Sequence, residues 1–367
     1  MSTWFEIQNV AQIDSPALVV YPERVRRNIQ LAIQIIGDAD RLRPHVKTNK
    51  MAEVCRMMIE AGITKFKCAT IAEAEMLALE NAQDIMLAYQ PVGPKINRLI
   101  QLIKTYPGSR FSCMVDHIEN ASIINNFSRQ EGVAVDVYID VNTGMNRTGI
   151  RPPDVPNLAK AILTFENLRF TGLHGYDGHI HEPDIVSRQQ QADTAYNALE
   201  KVFREVQTLV SYPLRQVVGG TPSFPTHVQR TNCECSPGTF VFWDWGYKQL
   251  CPDLPFEFAA LVLCRVISIM DDRHICVDLG HKAVAAENPL PRVYFLNAPE
   301  AIPVAQSEEH LVLEAPDSSA YTIGQVFYGV PKHICPTVAL YAQAHVIENH
   351  LMYDSWDVIA RNRTINL

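Results

Sequence analysis

Lys65-Phe66-Lys67-Cys68-Ala69, then Ile71-Ala72-Glu73-Ala74-Glu75-Met76-Leu77-Ala78-Leu79-Glu80, then Asp84-Ile85-Met86-Leu87-Ala88-Tyr89 is one strand–helix–strand unit. The outer runs are short and β-rich, and the middle one has helical apolar spacing. The rhythm extends both ways. Further strand-like runs are Arg43–Lys47, Arg110–Asp116, Ala134–Val141, Arg169–Tyr176, Gln216–Gly220 and Pro237–Phe242. Helical patterns over Met51–Ala61, Lys95–Thr105 and Gln190–Leu209 fall between them. The strand runs are mostly apolar throughout, as suits parallel strands covered by helices. Eight such runs predict a (β/α)8 TIM barrel, with an open doubly wound sheet as the competing architecture.

After Trp245 the long helical patterns stop. Phe258–Ile269, His274–Asp278, His310–Glu314, Gln325–Val330 and Ala344–Ile347 read as strands between Pro, Asp and Asn turns. A C-terminal β-rich domain is therefore expected, joined by the run Pro16–Tyr21. The expected partition is a barrel over 22–248, with 1–21 plus 249–367 forming the β-rich domain. A formal charge of -8 argues against nucleic acid or an anionic membrane as partner. The longest apolar candidate, Phe258 to Met270, is interrupted by Arg265 and is too short to span a bilayer. Met1-Ser2-Thr3-Trp4-Phe5-Glu6 has no leader pattern, and nine scattered cysteines suit reduced thiols, so a cytoplasmic setting is expected.

Several segments carry chemistry. Arg43-Pro44-His45-Val46-Lys47-Thr48-Asn49-Lys50 puts Lys47 at the end of the first strand run, where barrels place reactive groups. A lysine amine there can attack an aldehyde. Val217-Val218-Gly219-Gly220-Thr221-Pro222-Ser223 follows a late strand. Its glycines let backbone N–H groups approach an anion, and Thr221 and Ser223 add hydroxyls. Leu173-His174-Gly175-Tyr176-Asp177-Gly178-His179-Ile180-His181 is a dense polar cluster at a strand end. Tyr176 and His179 are expected to line a pocket, with His179 as acid or base and His174 and His181 in packing roles. In Val330-Pro331-Lys332-His333-Ile334-Cys335-Pro336, His333 and Cys335 are expected on one side of a strand; both residue types can ligate a borderline-soft metal, but by spacing alone a buried Cys beside a strand His is the commoner reading.

These segments resemble those of fold-type III pyridoxal-phosphate enzymes, a family that includes alanine racemase, D-threonine aldolase and D-serine dehydratase. The resemblance covers nearly the whole chain. It implies that Lys47 holds pyridoxal 5'-phosphate, and that the segment with Gly219, Gly220, Thr221 and Ser223 binds its phosphate. Asp140-Val141-Asn142-Thr143-Gly144-Met145-Asn146-Arg147-Thr148-Gly149 resembles a racemase segment, which implies a place for Arg147 near the phenolic oxygen. His333 and Cys335 match a divalent-metal motif of the aldolases and dehydratases. Cys335 points to zinc, with manganese the usual aldolase metal and magnesium a further candidate.

The chain departs from the family at two places. Ser236 stands where racemases have an arginine facing the pyridine nitrogen, and Asn49 where aldolases and dehydratases usually have histidine. The first argues against a racemase. The activity implied is retro-aldol cleavage of D-3-hydroxy-amino acids, most like D-threonine aldolase. A D-serine or D-threo-3-hydroxyaspartate dehydratase is the alternative within the fold. A non-catalytic pyridoxal carrier is a further alternative, disfavoured by the additional β-domain. The resemblance also implies a homodimer with a small-molecule D-amino-acid substrate.

Overall fold

The computed structural model describes residues 3–367; Met1 and Ser2, which open the stretch searched for a leader pattern and the expected 1–21 piece, lie outside the described residues. The described residues form two compact units. One comprises 32–47, 55–238 and 362–367, and the other 3–31, 48–54 and 239–361. In chain order the first elements are β1 (Ala17–Val20), α1 (Pro22–Ile36) and α2 (Ala52–Glu60). Then come β2 (Lys65–Cys68), α3 (Ile71–Leu79), β3 (Asp84–Leu87), α4 (Pro94–Thr105), β4 (Arg110–Val115) and α5 (Ile118–Gln130). The alternation continues with β5 (Val135–Val141), α6 (Val155–Ile162), β6 (Leu168–Gly175), α7 (Ile185–Gln207), β7 (Arg215–Val218), α8 (Phe224–His227) and β8 (Glu234–Cys235).

Strands β2 to β8 form one seven-stranded parallel sheet in sequential order. The eighth position is not a strand. Residues 42–45 make two isolated parallel bridges, Leu42 to Cys235 and His45 to Lys67, and these close the sheet on itself. Hydrogen bonds from Arg43 N to Cys235 O, His45 N to Pro237 O and Lys67 N to Pro44 O carry the closure. Pro44 has no N–H to give a ladder, so an uninterrupted strand cannot form there. The expected strand over Arg43–Lys47 is corrected accordingly: Lys47 sits in a 3-10 turn, Val46–Thr48. The expected strand at Pro237–Phe242 is corrected as well, since Glu234–Cys235 pairs with β7 and Thr239–Val241 is a 3-10 turn.

Side chains alternate across a strand, so parallel register fixes which residues share the interior. Lys65 and Lys67 are in register with Asp84 and Met86, and Met114 with Tyr138. Met86, Met114, Tyr138 and Val217 pack together as a buried apolar cluster. At one end of the strands lies a charged set. The fully buried Arg43 bonds Glu234 at 2.7 Å and Asp84 at 2.7 Å, and Arg215 reaches Asp84 at 2.9 Å. At the other end lie Lys67, Asp140 and His174.

A β-bulge between β5 and β6 sets that second end. Val137 pairs with Phe170 but Tyr138 with Gly172, which brings Asp140 opposite His174. Without the extra residue Asp140 would face Leu173, and His174 would turn to the other face. Gly172 makes the bulge feasible, because a Cβ there would lie 2.0 Å from the Arg215 carbonyl oxygen.

The other unit holds α9 (Trp245–Leu250), β9 (Ala260–Ile269), β10 (His274–Val277), β11 (Val293–Phe295), β12 (Ile302–Gln306), β13 (Leu311–Glu314) and β14 (Val326–Pro331). It ends with α10 (Ile334–Val338), β15 (Gln343–Glu348) and β16 (Leu351–Asp357). Its nine-stranded sheet runs β12-β13-β10-β9-β1-β15-β16, with β14 pairing β9 and β11. Every pair is antiparallel except β1 with β15. Val262, Cys264, Phe295, Leu311 and Phe327 centre one core, and Phe5, Val19, Leu261 and Tyr328 another. All nine cysteines are free thiols, as the sequence suggested. Among the described residues no helix is long and apolar enough to cross a membrane.

Candidate active site

Lys47 and Arg147, two of the residues the sequence singled out, lie around the ring of Tyr176, just past β6. Lys47 Nζ lies 5.8 Å from the ring centroid, Lys67 Nζ 5.4 Å and the Arg147 guanidinium carbon 5.1 Å. A cation at this distance from an aromatic face is held by the ring quadrupole. The ring is itself fixed by close neighbours. A Cβ on Gly220 would lie 3.1 Å from it, and one on Gly178 2.2 Å. Gly178→Ala is therefore expected to displace the ring and destabilise the protein by about 1–3 kcal/mol, the usual range for overpacking. Chemical denaturation measures this, and an unchanged midpoint would contradict the packing.

Lys67 and His174 were not expected in the site. Lys67 Nζ is 2.8 Å from His174 Nε2, and His174 Nδ1 is 2.7 Å from Asp140 Oδ1. Thr148 Oγ1 donates to Asp140 Oδ2 at 2.9 Å. Burial, then the charge of Lys67, pushes the His174 imidazole down to about 4. Burial raises the Asp140 carboxyl, but the bond and charge of His174, the Thr148 bond and the charge of Lys67 together leave it below its ordinary value. Burial, then the charge of Lys47, brings the Lys67 ammonium down to about 7. The packing roles expected for two histidines are corrected: His174 is buried but hydrogen-bonded at both nitrogens, and His181 is exposed. The signal available in the sequence was Gly172, since glycine inside a strand marks a bulge.

The glycine segment makes a tight turn, with Gly219 at φ +74°. Gly219 N donates to Gly175 O, and Gly220 N to Ser223 Oγ. Ser223 Oγ donates to Asp177 Oδ1 at 2.8 Å, and Thr221 Oγ1 accepts from Gly238 N. Asp177 also pairs with His227 Nε2 at 2.7 Å, beneath the same turn. Burial raises the Asp177 carboxyl, but His227 and the bonds from Ser223 and the backbone together hold it below its ordinary value, so the group stays ionised. Nearby, the Ser236 hydroxyl is 4% exposed and has no hydrogen-bond partner among the described residues. An orphaned buried hydroxyl, amines at a barrel mouth and a glycine turn fit an anionic aldehyde cofactor such as pyridoxal phosphate. His179 packs on Gly144, where a Cβ would lie 2.8 Å from Nε2, and its buried Nδ1 has no partner among the described residues.

In the other unit β14 ends at Pro331, and His333 precedes the short helix α10. The expected strand geometry for His333 and Cys335 is thus corrected. Asp244 Oδ2 accepts from Ile334 N at 3.1 Å and starts the helix instead. The two side chains still interact: burial pushes the His333 imidazole down, but Cys335, Asp244 and Glu287 raise it to about 9. Glu287 bonds His333 Nδ1 at 2.6 Å, and Cys335 Sγ lies 3.2 Å from Thr48 Oγ1. A carboxylate on one imidazole nitrogen is the usual support for a metal ligand. Among the described residues no group of three His, Cys, Asp or Glu could hold a metal. This pair fits a metal only if other ligands complete the shell, and binding must first displace the His333 proton.

A parallel barrel gathering two amines, a guanidinium and a phenol ring at one mouth, on a chain that also builds a mostly antiparallel sheet, has the build of a fold-type III pyridoxal protein. The chain belongs to the alanine racemase N-terminal domain family, which matches residues 20–236. A serine dehydratase domain matches residues 259–347. The D-threonine aldolase of an Arthrobacter species is 27% identical over 363 residues, covering 96% of this chain and 94% of that protein. The D-threo-3-hydroxyaspartate dehydratase of Delftia sp. strain HT23 is 25% identical over 370 residues, covering 94% and 97%. The crystal structure of D-threonine aldolase from Filomicrobium marinum superposes with a TM-score of 0.88 at 25% identity, covering 97% of each chain.

Proposed function

We propose that this protein is a pyridoxal-phosphate- and divalent-metal-dependent enzyme of the D-threonine aldolase type, cleaving D-3-hydroxy-amino acids to glycine and an aldehyde. It is an enzyme of the lyase class, as its aldolase and dehydratase relatives are. The observation that carries the reading is Lys47 at the barrel mouth, sharing the Tyr176 ring with Lys67 and Arg147. When bound, pyridoxal phosphate supplies an electron sink for the pair released at the substrate's α-carbon.

The residues of the chain do the rest. Lys47 supplies the amine that meets the aldehyde. Arg147 and Lys67 place positive charge around the ring that faces it. The Gly219–Ser223 turn offers the phosphate end its hydroxyls, and Asp177 and His227 hold the turn in shape. His179, with an unpartnered Nδ1, takes the proton of the substrate's 3-hydroxyl as the Cα–Cβ bond breaks. His333 and Cys335 would hold a divalent metal, which supplies Lewis-acid positive charge when bound.

The second reading is β-elimination to a 2-oxo acid and ammonia. The thiol of Cys335 and the match to a serine dehydratase domain over residues 259–347 favour it. Product analysis separates the two. The purified protein, loaded with pyridoxal phosphate and zinc or manganese, is incubated with D-threonine. Glycine plus acetaldehyde is the expected result. 2-Oxobutanoate plus ammonia would replace the aldolase with the dehydratase, and cofactor retention with no turnover of any D-3-hydroxy-amino acid would remove both.

A further inference from the structure

Lys67 is a lysine inside a barrel, 3% exposed, and its Nζ bonds an imidazole rather than a carboxylate. A buried ammonium is expensive unless it is paired. The pairing here is indirect. With Asp140 ionised and His174 neutral, His174 Nδ1–H donates to Asp140, and its Nε2 lone pair accepts from Lys67. Thr148 donates to the other Asp140 oxygen and fixes the carboxylate. The aspartate's charge thus reaches Lys67 through an imidazole whose tautomer is set. The bulge at Gly172 is what brings His174 opposite Asp140, so the fold spends a ladder irregularity on this chain of contacts.

The charged groups acting most strongly on Lys67 belong to the mouth. Lys47 stands on the turn after the eighth position, Asp140 and Arg147 on and after β5, and His174, Tyr176 and Asp177 on and after β6. Lys47 is the strongest of the charges. Lys47 and Lys67 lie on one ring, each within 6 Å of its centroid. Lys67 therefore exchanges its proton near neutrality, in a position to act electrostatically on whatever is bound at Lys47.

We infer that Asp140, His174 and Lys67 form a proton-holding unit in which Lys67 is a positioning residue, its charge setting the pH range over which the nitrogen bonded to the cofactor stays protonated. The inference rests on the reading that Lys47 holds pyridoxal phosphate. A protonated Lys67 disfavours a second positive charge on the Lys47 nitrogen. Removing that cation lets the protonated form persist to higher pH.

The test is a pH titration of the bound cofactor's long-wavelength absorbance band in the holoenzyme. In Lys67→Met the band is retained and its midpoint moves up by about one pH unit or more. In Lys67→Arg, which keeps a permanent cation, the midpoint stays at or below that of the wild type. A merely structural role does not separate the two variants by charge. A Lys67→Met band whose midpoint matches the wild type overturns the inference while leaving Lys47 as the cofactor lysine. A wild-type protein with no such band removes both. If neither variant folds, holoenzyme labelled with 15N-lysine reads the same amine: one Nζ titrating near about pH 7 supports the unit, and none titrating there overturns it.

Discussion

Lys47→Ala is expected to lose the bound cofactor's long-wavelength absorbance band and to lower turnover of D-threonine by about a thousandfold or more, the scale on which acid–base and nucleophilic groups contribute. The lysine stands in the 3-10 turn that follows the closing bridges of the barrel, and its own N–H donates to His45 Nδ1 at 3.3 Å. That turn holds the backbone while the amine projects to Tyr176. Lys67 is a second amine on the same ring, so loss of Lys47 alone is an informative experiment. Its Nζ is committed to His174 at 2.8 Å, which argues against its replacing Lys47. A Lys47→Ala protein that keeps both the band and the activity would sink the assignment. One that loses both while Lys67→Met retains the band separates the covalent amine from the positioning amine. Spectra of the two variants, taken with pyridoxal phosphate in excess, decide between them.

The parts of this fold that depend on local pattern were legible in the sequence. The helix expected over Ile71–Glu80 is α3 at Ile71–Leu79, and the strand expected over Asp84–Tyr89 is β3 at Asp84–Leu87. Apolar periodicity fixes both kinds of element within a residue or two. Barrel closure was harder to read, because it is made by two bridges flanking Pro44 rather than by a ladder. The short α10 was missed for a related reason. His333-Ile334-Cys335 reads as a strand by spacing, but Asp244, distant in sequence, accepts from Ile334 N and draws the chain into a helix. Of the candidate site, the segments carrying Lys47, Arg147 and Tyr176 were readable, since each stands at a strand end. Lys67 was not, because one lysine in a β-run is indistinguishable from a surface lysine until register places it inside. His174 became a functional candidate only when the bulge at Gly172 turned it toward Asp140.

The charged end of the barrel was equally invisible in the sequence, and it carries the largest expected stability effect. Arg43→Met should destabilise the protein by about 3–5 kcal/mol, the range for breaking a buried ion pair from one side. Arg43 is fully buried, and its Nε and Nη1 reach Glu234 and Asp84 on strands nearly two hundred and about forty residues away in sequence. Burial pushes the Arg43 guanidinium down, but the two carboxylates more than reverse this, so it stays charged. Burial raises the Asp84 carboxyl, and Arg43 and Arg215 together leave it below its ordinary value of 3.8. Methionine would fill much of the volume but leave both carboxylates without their main partner. Arg215, at 2.9 Å from Asp84, and Lys65, at 3.1 Å from Glu234, compensate only in part. Thermal unfolding should register the change as a loss of about 10 °C. The sign with pH follows from the depressed carboxyl: its contribution is present above its ordinary value and is lost as pH falls through the folded value. In the variant the carboxyl is left buried without that partner and gains from protonation. The gap between wild type and Arg43→Met should therefore be widest near neutrality and narrow below about pH 4. A gap that stays constant on acidification would mean that Arg43 acts through packing alone.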